Sequence, residues 1–231
     1  MKKEKKIIIS KNGPYLVSGN IPLIKETAEV KNNVPDKWKK IKNFPSQENY
    51  ALCRCGGSKN KPFCDGSHIN NFDGKETAKN IPYLKNSETT EGPELILTDN
   101  TEFCSLARFC NKREGTWNST EKSNDSKSKK LAIETACNCP SGRLVVWDKK
   151  TKKPIEPKFP ACISVTEDPQ ADVSGPLWIK GGVLLESSSG KVYEKRNRIT
   201  LCRCGGSKNK PFCDGSHIDI GFNDTNKGKR I

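Results

Sequence analysis

Apolar side chains are scarce in this sequence: 32% of its 231 residues are hydrophobic, 7% are aromatic and methionine occurs once. Such a chain buries a modest core, so constraints besides packing are expected to hold it. No run approaches the roughly 20 apolar residues of a membrane helix, so no membrane span is expected. The opening Lys2-Lys3-Glu4-Lys5-Lys6 is basic, but only Ile7, Ile8 and Ile9 follow it, too short an apolar stretch for a secretory signal. These absences point to a soluble, cytoplasmic protein, where clustered cysteines bind metal more often than they pair. Acidic residues are also few, 27 against 41 lysines and arginines, for a net charge of +14. The lysines lie in small scattered groups (Lys37–Lys42, Lys127–Lys130, Lys149–Lys153), not gathered into one run. That pattern argues against nucleic acid and suits a basic surface that steers an acidic redox partner. No carboxylate pair, nucleophile–base set or phosphate-binding glycine motif stands out, so no enzyme is expected.

Histidine is nearly as scarce as methionine, and its placement is informative. The only two, His68 and His217, stand next to last in two identical eighteen-residue segments, LCRCGGSKNKPFCDGSHI at Leu52–Ile69 and Leu201–Ile218. Each copy reads Cys-x-Cys-x8-Cys-x3-His, and together they hold six of the eleven cysteines. The economical reading is two metal sites, each with three sulfur ligands and one nitrogen: Cys53, Cys55, Cys64 and His68, then Cys202, Cys204, Cys213 and His217. Structural zinc is the alternative, since Cys3His is an ordinary zinc set, although a Cys-x-Cys start is tighter than the usual spacing. Gly56-Gly57 permits a sharp bend that brings backbone N–H groups near the centre. Asp65 and Asp214 have the form of helix N-caps, which would put His68 and His217 in the first turn, directed back at the site. Arg54, between two thiols, is expected to point outward.

The repetition extends upstream. Gly13-Pro14-Tyr15-Leu16-Val17 runs parallel to Gly175-Pro176-Leu177-Trp178-Ile179, and Leu23 falls opposite Leu185. Both stretches alternate apolar with small or polar residues between glycine and proline, as short strands do. Residues 25–49 read as a draped connection with one helical turn at Asp36–Lys42. Between the halves lie Cys104-x5-Cys110, Trp117, a polar run Asn118–Lys130 that reads as an exposed loop, then two helical turns at Leu131–Cys137 stopped by Pro140, and a strand at Arg143–Trp147. Three units follow: residues 1–90, 91–160 and 161–231.

The segment Cys-Arg-Cys-Gly-Gly-Ser…Lys-Pro-Phe-Cys-Asp-Gly-Ser-His resembles the CDGSH iron–sulfur, mitoNEET-like family, and both copies match over their whole length. The resemblance implies a mainly β fold with short helices: two β-cap and cluster-binding units in pseudo-twofold arrangement, within a monomer. It implies one [2Fe–2S] cluster per loop, with one iron on Cys53 and Cys55 and the other on Cys64 and His68. In the second copy, Cys202 and Cys204 hold one iron, Cys213 and His217 the other. One-electron transfer, redox sensing or cluster transfer to an apo-acceptor would follow. A single neutral imidazole makes such a centre easier to reduce than an all-cysteine one and lets acid compete for the ligand. The middle cysteines resemble a divergent single-cluster ferredoxin-like domain, a small α+β insert. It would hold a third iron–sulfur centre drawn from Cys104, Cys110, Cys137 and Cys139, with Cys162 a further candidate and Arg143 standing where a small residue is expected. The alternative is that these are free cysteines, partly buried.

Overall fold

Alternation sets the first strands of the computed structural model, which describes residues 4–224. Strand β1 (Lys6–Ile9) buries Ile7 and Ile9, and β2 (Tyr15–Ser18) buries Tyr15 and Val17, each turning every second side chain inward. After them come β3 (Leu23–Lys31), β4 (Val34–Asn43) and β5 (Asn49–Leu52). The middle supplies β6 (Glu88–Glu91), β7 (Leu95–Asp99), α1 (Gly115–Glu121), α2 (Ser126–Asn138), β8 (Leu144–Asp148) and β9 (Pro154–Ile155). The last part holds β10 (Cys162–Asp168), β11 (Val173–Lys180), β12 (Leu184–Glu186), β13 (Arg198–Leu201) and the single-turn α3 (Ser216–Asp219). The fold is mainly β, with 33% strand and 17% helix. No helix among the described residues is long and apolar enough to cross a membrane.

The two halves are built alike and exchange strands. In the first, β2 lies between β1 and β5, pairing Ile9 with Tyr15 and Tyr15 with Leu52. In the second, β11 lies between β10 and β13, pairing Val165 with Leu177 and Leu177 with Leu201. Tyr15 and Leu177 therefore occupy one register, as the repeat upstream of the cysteines implies. β3 then leaves the first half to run parallel to β10, with Leu23 opposite Ile163. Reciprocally, β12 leaves the second half to run parallel to β1, with Leu185 opposite Ile7. The pseudo-twofold arrangement is thus a mutual strand exchange, giving sheets ordered β12-β1-β2-β5 and β13-β11-β10-β3-β4. Their inner faces share one core in which Ile7, Val17, Leu23 and Leu52 meet Ile163, Leu177, Leu185 and Leu201.

Two local expectations are corrected. Residues 25–49 form no draped connection: β3 and β4 make a long hairpin whose turn residues Asn32 and Asn33 have φ of 52° and 57°, the left-handed pair a tight two-residue turn needs. Its outer strand β4 is a sheet edge and mostly solvated, so its side chains are largely polar; Pro35 is tolerated there because an edge strand need not donate on both sides. The polar run Asn118–Lys130 is helical at both ends. Asp125 caps α2 by accepting the Ser128 amide at 2.8 Å, and the helix buries Leu131, Ala132, Thr135 and Ala136, with Ala132 and Ala136 in one core with Leu95 and Leu97 of β7 and Leu144 and Val146 of β8. The buried face of α1 is made of Thr116, Ser119 and Thr120, whose hydroxyls are satisfied internally, for instance Thr116 to Thr135 at 2.8 Å. Polar composition concealed burial.

Candidate metal centres

Each repeated loop leaves a strand end, turns at its glycines and returns through a cis lysine–proline bond, Lys61–Pro62 or Lys210–Pro211. Strand β5 ends at Leu52 and β13 at Leu201, so Cys53 and Cys202 are placed directly by the sheets. The return limb is tied to that strand: the Cys64 amide donates to Ala51 and the Cys213 amide to Thr200, at 2.9 and 3.0 Å. This places the third cysteine beside the first two. Cys53 and Cys55 Sγ lie 3.7 Å apart, and Cys64 Sγ lies 3.4 Å from His68 Nδ1. The second loop repeats both pairs, at 3.6 Å for Cys202 with Cys204 and 3.3 Å for Cys213 with His217. Two donors on one tetrahedral ion, with bonds of about 2.0–2.3 Å, stand roughly 3.5–3.8 Å apart. Each loop thus presents two pairs, each spaced for one metal. Among the described residues no three of the histidine, cysteine or acidic side chains converge on a point that could hold one ion. The donors fit a dinuclear centre better than a mononuclear one.

The supporting residues differ partly from expectation. The aspartates brace the turn just before the helix and are not its N-caps: Asp65 accepts the Ser67 hydroxyl and amide at 2.6 and 3.0 Å and the Lys59 amide at 2.7 Å, and Asp214 does the same for Ser216 and Lys208. Those hydrogen bonds hold the Asp65 carboxyl well below the usual carboxylate range. The helix starts one residue later than the aspartate would suggest, because Gly66 and Gly215, at φ 90° and 93°, stand at the N-cap position. Arg54 does not point outward. It is 1% exposed and donates to the carbonyls of Gly13, Ser10 and Gly74, while lying over the rings of Tyr15 and Phe72. Arg203 is its counterpart, donating to Gly175 and Thr166 carbonyls and to Asp224 at 2.6 Å. The arginine between the thiols therefore fastens each loop to the chain beneath it, Arg54 to the turn between β1 and β2 and Arg203 to β10 and β11. The signal was available, since Gly13 and Gly175 are matched positions in the upstream repeat.

Electrostatics split the thiol pair of each loop, drawing one sulfur toward the thiolate and pushing its neighbour up. A hydrogen bond from the Cys53 thiol pulls Cys55 down to about 6, with the Gly57 amide adding to the effect, while Cys53 itself is pushed up. In the second loop Cys202 is the one pulled down, to about 7, by the hydrogen bond from Cys204. Burial pushes His217 down to about 4, keeping its imidazole neutral and able to bind metal. The two loops touch: a Cβ on Gly56 would lie 2.5 Å from the Cys204 carbonyl oxygen, and one on Gly205 would lie 2.4 Å from that of Cys55.

Of the middle cysteines, the structure gathers Cys104, Cys110 and Cys139 around one cavity, with Ser141 and Arg143 on its wall. Burial and the charges of Cys139 and Cys104 push the Cys110 thiol up to about 11. Arg143 reaches into this group, its Nη1 3.1 Å from Cys104 Sγ, and is held by a two-point contact with Asp99 at 2.6 and 2.8 Å. Cys137 does not line the cavity; its Sγ faces the Ile155 carbonyl at 3.6 Å on the other side of α2. Cys162 does not line it either, being buried in β10. Cys137 and Cys139 differ by two positions at a helix end, which turns them to different faces.

Comparison with known families agrees with these three regions. The family described as iron-binding zinc finger CDGSH type matches residues 12–69 and 174–218, and the one described as divergent 4Fe-4S mono-cluster matches residues 90–149. No curated protein and no solved structure matches the chain. Repeated thiol and imidazole pairs on a strand-exchanged β scaffold, with these matches, define an iron–sulfur-binding protein. Two segments that match the CDGSH type flank one that matches the divergent 4Fe–4S mono-cluster type.

Proposed function

We propose that each repeated loop holds a [2Fe–2S] cluster, that Cys104, Cys110 and Cys139 hold a third centre, and that the protein passes single electrons or hands clusters to an apo-acceptor rather than turning over a substrate. The observation that carries this reading is the doubled pair geometry, thiol with thiol and thiol with imidazole, at metal-sharing distances in both loops. A bound cluster would supply one-electron chemistry, at a potential above that of an all-cysteine centre. The chain's residues do the rest. Cys53 and Cys55 would hold one iron and Cys64 with His68 the other; Cys202, Cys204, Cys213 and His217 repeat the set. Gly57 aims its amide at Cys55 Sγ from 3.4 Å, the kind of donor that stabilises negative sulfur. Arg54 and Arg203 keep the loops in register with β2 and β11, so the donors need not be reorganised on loading. At the middle site Cys104, Cys110 and Cys139 would hold the third centre, and the Arg143 guanidinium, 3.1 Å from Cys104 Sγ, would help balance the charge of its thiolates.

Iron, sulfide and zinc analysis with electron paramagnetic resonance on anaerobically purified protein tests this. The expected result is about two irons per loop and a nitrogen-coordinated two-iron signal on reduction, with further iron lost in Cys110→Ser and retained in Cys137→Ser. A colourless protein carrying zinc in place of iron overturns it.

A further inference from the structure

The two loops are the same eighteen residues in different surroundings, so any difference between them comes from the rest of the chain. Inside the loops the hydrogen bonds are copied: Ser58 Oγ donates to Phe63 and Ser207 Oγ to Phe212, and Lys61 and Lys210 each reach the serine carbonyl three residues back. Outside them the symmetry fails. Tyr15 Oη donates to the carbonyls of Cys202 and Pro211, whereas its counterpart Leu177 has no hydroxyl to offer the first loop. The Thr77 and Ala78 amides both donate to the Lys210 carbonyl, Thr77 Oγ1 donates to Lys208, and Asn209 donates to Glu102 in the middle unit. None of these has a counterpart on Lys59–Lys61 among the described residues.

Cover follows the same division. The segment after Cys104 lies across the second loop, with Leu106 so close to Gly215 that a Cβ there would meet its side chain at 2.4 Å; at Gly66 a Cβ would meet nothing within 4 Å. Arg108, from that same segment, forks onto Asp168 at 2.6 and 2.7 Å and helps close the edge of the site. Phe222 packs against Cys202 and Cys204 from the other side. Accordingly all four donors of the second loop are buried, His217 to 3% exposure, while Cys55, Cys64 and His68 are each partly open and the neighbouring Ile69 is 81% exposed.

From this asymmetry we propose that the loops have separate tasks: the first is the outlet that gives its cluster to an acceptor protein, and the second is a retained centre sheathed by the middle unit. This rests on the reading that both loops hold clusters. At the outlet, Cys53, Cys55, Cys64 and His68 would surrender four metal bonds to four acceptor ligands, with no change in electron count. Protons released by the acceptor's thiols would pass to the vacated thiolates and imidazole. The acceptor should present cysteine thiols within an acidic rim, to match a chain of net charge +14, beside an apolar spot for exposed Ile69. Ligands in a well-packed segment can leave only as fast as that segment opens, so the second loop should release far more slowly.

The test follows loss of the nitrogen-coordinated signal from fully loaded, full-length protein mixed with an iron chelator or an apo-[2Fe–2S] ferredoxin. Wild type should lose it in two phases whose rates differ by at least about tenfold. Cys213→Ser, loaded only at the first loop, should keep the fast phase, and Cys64→Ser the slow one. Thr77→Ala combined with Leu106→Ala should hasten the slow phase and leave the fast phase unchanged. If neither single-loop variant shows the nitrogen-coordinated signal in its loaded loop, the cluster reading itself fails. Equal rates in the two variants, or a faster second loop, would leave that reading intact and overturn the division of tasks.

Discussion

At the level of single residues, the arginine inside the Cys-Arg-Cys step shows how a surface-looking residue becomes structural. Arg54 is 1% exposed, and its nitrogens satisfy the carbonyls of Ser10, Gly13 and Gly74. Removing it leaves several buried carbonyls without donors, each worth about 1–3 kcal/mol. Arg54→Ala should therefore destabilise the protein by about 3 kcal/mol in chemical denaturation, and Arg54→Lys should recover less than half, because an ammonium cannot reproduce the planar fork. A change within the error of the measurement would mean that the loop is held otherwise. His217 offers a second residue-level expectation. Burial lowers it to about 4, against about 6.5 in an unfolded chain, so between those values the unfolded state binds the extra proton. Its contribution is thus fully present above about pH 6.5 and is lost as pH falls toward 4. Denaturation of metal-free protein across that window should show a drop in stability that is reduced in His217→Gln. That the eight loop side chains come together was legible from spacing alone, because Cys-x-Cys-x8-Cys-x3-His recurs unchanged and takes every histidine. The direction of Arg54 was not, since a charged residue's burial depends on carbonyls supplied by residues 10, 13 and 74.

Between elements, the decisive contact is loop against loop. Gly56 and Gly205 have φ of 78° and 82°, and each faces a carbonyl of the opposite loop at a distance no side chain tolerates. Alanine at either position meets two penalties, left-handed backbone strain of about 1–2 kcal/mol and displacement of the opposing backbone. Gly66 separates these terms, because it has φ of 90° with open space around it. Gly56→Ala and Gly205→Ala should each lower stability by about 2–4 kcal/mol and Gly66→Ala by about 1 kcal/mol, read by chemical denaturation. Equal losses at all three positions would mean that the loops are not pressed together. The elements themselves were legible where apolar and small residues alternate between glycine and proline, as in β2 and β11. They were not where burial is polar. The threonines and serines of α1 satisfy one another in the interior, so hydropathy marks the segment as exposed. The β3–β4 hairpin was hidden because its outer strand is a solvated edge rich in lysine, with only the Asn32-Asn33 turn to betray it.

For the molecule as a whole, the strand exchange determines which pieces can fold. Each half lends a strand to the other's sheet, β3 to β10 and β12 to β1, and the apolar faces close into one core. The internal repeat implied two related halves, yet nothing in it distinguishes self-contained units from exchanged strands, because exchange depends only on where β3 and β12 dock. Residues 1–90 alone would carry β1 without β12 and β3 without β10, two open strand edges beside half a core. As β10 is the structural counterpart of β1, β3 of one copy could dock along β1 of a second, restoring both pairings at once. The isolated segment should therefore appear as a homodimer, or else unfold, when examined by light scattering and circular dichroism. Dimerisation by exchange of identical elements needs no new contacts, only a second chain to provide those the intact protein makes internally. A stable folded monomer of residues 1–90 would show that the first half completes its own sheet, and the mutual exchange would then not be what binds the halves together.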